Sequence, residues 1–132
     1  MKIIVDTCIW SLALHRKTIA SQTTIELQKL IEDSRVQMIG PVRQELLSGV
    51  SSPIQFKKLK TYLSAFSDCS MTTKDHELAA EYFNACRAKG IQGSAIDFLI
   101  CAIASQNKFS IFTTDKDFNL YARVLPITLH QC

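Results

Sequence analysis

A three-layer α/β/α sandwich around a mostly parallel central sheet is the fold this sequence predicts, and three observations carry the prediction. Apolar strand-like runs alternate with helix-like segments from end to end, the pattern of strands joined by helical crossovers. The first run, Lys2 to Asp6, is almost wholly apolar, as a central parallel strand buried on both faces must be. Two runs, Ile3-Ile4-Val5 and Ile111-Phe112-Thr113-Thr114, lead into aspartates, Asp6 and Asp115. In an open parallel sheet the binding crevice lies outside the carboxyl ends of the strands, so these acids are placed for shared chemistry.

The elements follow in order. After the first strand a short helix runs through Ile9, Trp10 and Leu12 to Leu14. Thr23-x-x-Glu26 has the form of a capping box, with Leu27, Leu30 and Ile31 at helical spacing behind it and an end near Asp33. Arg35 to Ile39 reads as a second strand, closed by Gly40-Pro41, and Pro41 suits the first turn of a helix bearing Val42, Glu45, Leu46 and Leu47. Gly49 and Ser51-Ser52-Pro53 stop it. Leu59, Tyr62, Leu63 and Phe66 then form one helical face, with Lys57, Lys58 and Lys60 as a solvated face opposite. Phe66 to Met71 is a weak third strand. Thr72 or Thr73 caps a long helix through Leu78, Tyr82, Ala85 and Cys86, ending at Arg87, Lys89 and Gly90. Ser94 caps a helix from Ala95 to about Ser105 that is apolar all round and must be buried. Ser110 to Thr114 is a strand, a short helix begins near Asp117, and Val124 to Ile127 is an edge strand in which Pro126 is tolerated.

At 132 residues the chain fits one domain, residues 1–132, that buries roughly two-thirds of its unfolded surface. A hydrophobic fraction of 47% with 4 Gly and 3 Pro excludes a disordered chain. The five cysteines, Cys8, Cys69, Cys86, Cys101 and Cys132, contain no C-x-x-C pair and read as small buried hydrophobes in a reducing compartment. No secretory leader and no membrane-spanning run is legible, so a cytoplasmic protein is expected. A net charge of +3 does not by itself call for a polyanionic partner. His15, His76 and His130 lack metal-ligand spacing and read as surface groups. A nucleotide-binding P-loop or Rossmann site is excluded because no Gly-rich turn follows the first strand.

Between the two strand-end acids lie further carboxylates. Asp97 stands in the first turn of the most apolar helix, three residues after Ser94. It can complete a capping box there, and the same helix start, set at the sheet edge, would aim it into the crevice. Glu45, beside Arg43 and Gln44, reads as surface when taken alone. It gains interest only because its helix starts just past the second strand, on the same rim. Crowded carboxylates repel and shift toward protonated forms unless a cation neutralises them, and oxygen-only ligation points to Mg²⁺ or Mn²⁺.

Val5-Asp6-Thr7-Cys8-Ile9-Trp10, then Glu45, then Asp97-Phe98-Leu99-Ile100-Cys101-Ala102, then Thr113-Thr114-Asp115-Lys116-Asp117-Phe118, in that order over nearly the whole chain, resemble the PIN-domain ribonucleases, and in length most of all the VapC toxins of toxin–antitoxin pairs. The resemblance implies an acidic quartet of Asp6, Glu45, Asp97 and Asp115, with Asp6 and Asp97 as direct metal ligands and the other two acting through water or a second ion. It implies Thr113 and Thr7 as supporting residues, and Asp117 as either a fifth acid or a cap of the next helix. Cys8 stands where Ser or Asn is usual and Cys101 where Ala is usual, and neither change removes a ligand. What the resemblance implies of function is Mg²⁺- or Mn²⁺-dependent hydrolysis of RNA to 5′-phosphate and 3′-hydroxyl ends, a small antitoxin as partner, and a homodimer. The alternatives are a housekeeping RNA-processing nuclease of the same fold, a PIN fold that only binds, and a phospho-receiver module. A receiver would show an acidic pair after the first strand and a late strand-end lysine. A haloacid-dehalogenase-like phosphatase would need an acid at Cys8.

Overall fold

The computed structural model describes residues 1–14 and 21–132, so His15 lies outside the described residues. Within them β1 (Ile3–Val5), β2 (Val36–Gln37), β3 (Ser110–Phe112) and β4 (Thr128–Leu129) form one parallel sheet in the order β2-β1-β3-β4. The helices are α1 (Thr7–Leu14), α2 (Gln22–Glu32), α3 (Gly40–Ser48), α4 (Pro53–Leu63), α5 (Thr73–Ala88), α6 (Ala95–Asn107) and α7 (Asp117–Tyr121). This is the expected α/β architecture. β1 is central, and Ile3, Ile4 and Val5 are at most 1% exposed, which explains why both of its faces are apolar.

α6 is the internal helix. Phe98 and the run Ile100 to Ala104 are buried, and its start is capped by Ser94, whose hydroxyl accepts the Asp97 amide at 3.1 Å. Its far end turns out through Lys108 in the left-handed conformation. Two polar ties from α5 hold that end: Tyr82 Oη lies 2.8 Å from Ser105 Oγ, and Gln106 Nε2 donates to Asp75 Oδ1 at 2.8 Å. Asp75 is buried, and its other oxygen accepts the Thr72 amide at 2.8 Å, closing the capping box of α5. Both of its oxygens are held by structural bonds, one of them to the far end of α6 from the sheet rim.

Several elements differ from the sequence reading. α2 begins earlier than Thr23, because Ser21 and Thr24 cap it reciprocally, and Glu26 instead meets His130 at 2.6 Å. His130 is therefore part of an ion-pair contact in the half-buried layer, whereas His76 is exposed as expected. Phe66 to Met71 forms no ladder and meets the sheet edge through the bridge between Met38 and Asp68 and a bond from the Gln37 side chain to the Ser67 carbonyl. Arg43 takes up that segment's polar groups, bonding the carbonyls of Leu63 and Phe66 and the carboxylate of Asp68. α4 stops at Leu63, and Phe66 lies beyond it, edge-on against Trp10 at 5.2 Å. The last strand is Thr128–Leu129, not Val124 to Ile127: the Val124 and Leu125 amides still bond the Tyr121 carbonyl, so the apolar run is a turn that buries Leu125. Lys57, Lys58 and Lys60 are exposed, as a solvated face should be. Among the cysteines only Cys86 and Cys101 are buried; Cys8 and Cys69 are half-buried, Cys132 is exposed, and all five are free.

Candidate active site

Because β1 and β3 are parallel neighbours in the register Val5 to Phe112, both leave the sheet at the same rim. The Asp6 amide is still paired, at 2.9 Å, with the Phe112 carbonyl, so Asp6 is held at the strand end by the ladder itself. Its carbonyl then accepts the Ile9 amide at 3.0 Å and starts α1. The Asp6 side chain is almost enclosed, at 7% exposure. Oδ1 accepts the Thr7 amide at 2.8 Å and Oδ2 accepts the Thr113 hydroxyl at 2.8 Å. Cys8 Sγ approaches Oδ2 at 3.5 Å, so the thiol stands in the contact that a hydroxyl would otherwise make. Burial pushes the Asp6 carboxyl up, against these three bonds, and the nearby charge of Asp97 adds to the rise.

Thr113 links the two strands' acids. While its hydroxyl donates to Asp6, the same oxygen accepts the Asp115 amide at 3.0 Å. Asp115 in turn caps α7: Oδ1 accepts the Asp117 amide at 2.9 Å and its carbonyl accepts the Phe118 amide at 3.2 Å. Asp115, then, supplies the cap, while Asp117 is an exposed first residue of α7. Thr7 supports Asp6 through its backbone, and its own hydroxyl is buried without a hydrogen-bond partner among the described residues.

Asp97 reaches the same crevice from the first turn of α6. Tyr121 Oη donates to its Oδ2 at 2.6 Å. Burial raises its carboxyl, the Tyr121 and Ser94 bonds oppose this, and the charge of Asp115 raises it further. Asp97 thus stands between the other two acids electrostatically: its charge raises Asp6, and the charge of Asp115 raises it. Among the described residues the ion pairs are Arg43 with Asp68 and His130 with Glu26, both elsewhere, so no protein cation balances the three.

Glu45 is not brought into this group. It is exposed on α3 and lines a groove with Gln44, Met71, His76, Ile96 and Leu99, beside the first turn of α6 but without contact to the aspartates. Among the described residues no three acidic, histidine or cysteine side chains converge tightly enough to form a complete metal cage. That arrangement fits Mg²⁺ better than a cage-bound ion, because Mg²⁺ keeps several waters and is held through one or two carboxylates. Asp97 Oδ1 and Asp115 Oδ2 carry no hydrogen bond among the described residues, and Asp6 Oδ1 accepts one, from the Thr7 amide, and keeps a second lone pair for an ion. The donor set is oxygen only and, among the described residues, no ion pair neutralises these acids, so the residues present fit a hard divalent cation.

The model of one family, the PIN domain, matches residues 3–124. The chain belongs to the PIN domain family. This sets aside the receiver-module alternative. Ribonuclease VapC11 of Mycobacterium tuberculosis (strain ATCC 25618 / H37Rv) is 27% identical over 126 residues, covering 92% of each chain. VapC ribonuclease Mb1587 of Mycobacterium bovis matches to the same extent. Among solved structures, FitAcB from Neisseria gonorrhoeae superposes with a TM-score of 0.79 at 18% identity, over 98% of this chain and 96% of that one. VapBC2 from Rickettsia felis, bound to a DNA fragment from their promoter, gives a TM-score of 0.79 at 18% identity over 98% of both chains. At such identities the structures establish the shared PIN fold.

Two residues at the rim escaped the sequence reading. Tyr121 carries no motif of its own, and only its position one helical turn after Asp117 places it near the acids. Gly93, in the loop before α6, leaves room for that tyrosine, and no local pattern announces it.

Proposed function

We propose that this PIN domain is a divalent-metal-dependent endoribonuclease and the toxin member of a VapBC-type toxin–antitoxin pair. The observation that carries the reading is that Asp6, Asp97 and Asp115 leave two strand ends and one buried helix start at the same rim, where among the described residues none of the three is paired with a basic side chain. The ribonuclease names of the VapC relatives and the toxin–antitoxin complexes among the structural neighbours support it.

Asp6 and Asp97 are assigned as direct ligands of Mg²⁺ (or Mn²⁺), with Asp115 and the more distant Glu45 acting through water. A bound ion supplies a water of lowered pKa and neutralises charge on the phosphate oxygens. The chain's own residues set the geometry. Thr113 holds Asp6 and the Asp115 loop together, Thr7 fixes the other Asp6 oxygen through its amide, and Asp115 orients the nucleophile side of the crevice. Asp117, exposed in the first turn of α7, is the candidate fifth acid of the rim. A small antitoxin has a surface to occupy: a groove of about 500 Å³ between α1, α3 and α4, lined by Ser11, Leu14, Leu46, Val50, Leu59 and Tyr62. The reading includes a homodimer, for which the α5–α6 surface around the exposed Phe83 is the apolar face. Among the described residues no helix is long and apolar enough to cross a membrane, and the reading places the protein in the cytoplasm with its RNA.

Purified protein is expected to cut structured RNA with Mg²⁺ or Mn²⁺ present and to stop when EDTA is added, with activity returning on re-addition of the ion. Cleavage undiminished in chelator would overturn the metal assignment.

A further inference from the structure

The two best-buried acids of the rim are each held by a hydroxyl from outside their own element. Thr113 takes one oxygen of Asp6 at 2.8 Å, and Tyr121 takes one oxygen of Asp97 at 2.6 Å. Thr113 belongs to a recognised motif and Tyr121 does not. Yet the tyrosine is the more constrained of the two. It is fully buried, with its ring centroid 5.0 Å from those of both Phe98 and Phe118, so its hydroxyl can point in essentially one direction. A buried tyrosine hydroxyl requires a polar partner, and Asp97 is the one it has.

The loop before α6 is shaped around this contact. A Cβ on Gly93 would lie 2.2 Å from Tyr121 Oη, 2.8 Å from its Cζ and 3.0 Å from Phe98 Cε2. The first two distances are impossible for a real side chain and the third is at the limit, and the rigid ring cannot move aside as a flexible chain end would. The glycine is needed here for space alone. With Ser94 fixing the Asp97 backbone and Tyr121 fixing Oδ2, the remaining oxygen, Oδ1, is left without a hydrogen bond among the described residues.

We infer that Tyr121, given room by Gly93, is a positioning residue that sets the orientation of Asp97 toward the metal ion. This rests on the reading of the rim acids as a metal site. Loss of such a supporting partner typically weakens metal affinity or activity by 10–100-fold.

The test is Tyr121→Phe, which keeps the ring packing and removes the hydroxyl. The control is Tyr82→Phe, which removes a tyrosine hydroxyl bonded to the other end of the same helix. Mn²⁺ binding without RNA is read by electron paramagnetic resonance, alongside kcat, KM and Tm. The expected result is a Kd for Mn²⁺ about 10-fold weaker and a fall in kcat with KM little changed in Tyr121→Phe, against wild-type binding in Tyr82→Phe at a similar Tm. Wild-type Mn²⁺ affinity in Tyr121→Phe, or equal weakening in both variants, would reduce Tyr121 to a packing residue. If Tyr121→Phe does not fold, the wild-type protein labelled with ¹³Cζ-tyrosine decides: the Tyr121 resonance should move on saturation with Mg²⁺ while that of Tyr82 stays, and a still Tyr121 resonance overturns the inference. A wild-type protein that binds no Mn²⁺ at all would instead refute the metal-site reading, and the inference with it.

Discussion

Asp97→Asn should abolish RNA cleavage, by more than about 100-fold, which exceeds the usual loss from removing a mere outer partner of a metal site, and should leave the fold as stable as before or more so. Asn keeps a side-chain oxygen that can accept from Tyr121, and the helix cap survives because it is the Asp97 backbone amide that bonds Ser94. The bond from Tyr121 weakens when its acceptor loses the charge, by about 1 kcal/mol. Against that, burial outweighs every favourable bond to the ionised carboxylate, since the net shift of Asp97 is upward from 3.8. A carboxyl raised in the folded state binds its proton more tightly there than in the unfolded chain. Its penalty is therefore absent below the unfolded value and complete once the pH passes the raised folded value. Measured without metal, the variant should equal or exceed wild type in Tm at neutral pH, and the advantage should vanish in acid. A variant that retains activity and loses only stability would show Asp97 to be a cap and nothing more.

Expression of the wild-type chain alone should arrest growth, Asp6→Ala should not, and co-expression with an adjacent small gene should restore it. An acidic crevice without an internal cation is blocked most directly by an Arg or Lys inserted from a partner, through charge-assisted bonds to the carboxylates. The partner also needs an apolar seat. Leu63 and Trp10 are core and Phe66 packs on Trp10, whereas Leu59 and Tyr62 line the α1–α3–α4 groove. Tyr62 is 45% exposed, as an anchor awaiting a partner would be. Tyr62→Asp should accordingly stay toxic while escaping neutralisation. Wild type tolerated at high level, and indistinguishable from Asp6→Ala, would remove the toxin assignment and leave a housekeeping nuclease of the same family.

Strand ends were legible in the sequence where periodicity and composition agreed. Ile3 to Val5 and the pair Ile111 and Phe112 are buried, and apolar runs closed by an aspartate have few other uses in a small α/β domain. The segments that misled are those whose polar groups are satisfied from afar. Phe66 to Met71 looks like a strand, but the Phe66 and Ser67 carbonyls are taken by the side chains of Arg43 and Gln37, distant in sequence. Val124 to Ile127 looks like a strand, but α7 unwinds through it and buries Leu125. The aspartates of the site were readable because each closes a recognisable local pattern: a strand end, a helix cap, a T-x-D-x-D-F turn. Glu45 has no such pattern, and the structure leaves it on the flank. Tyr121 was invisible because its role depends on a close approach to Gly93 and Asp97 that no local spacing encodes.

The ties between α5 and α6 bear on how the crevice comes apart. Asp97 is mounted on a helix whose far end is pinned through Asp75, Gln106, Tyr82 and Ser105 and whose middle is sealed in the core. Asp115 is mounted on a turn leading into a five-residue helix. Segments with buried, tied backbones open only when the whole domain unfolds, whereas short rim segments open by themselves at lower free energy. Amide hydrogen exchange should therefore place Ile100 to Ala104 at the limit set by global unfolding and the Asp117 amide well below it. On warming short of the melting transition, the acids would separate from the Asp115 side first, with the Asp97 side still in its native position.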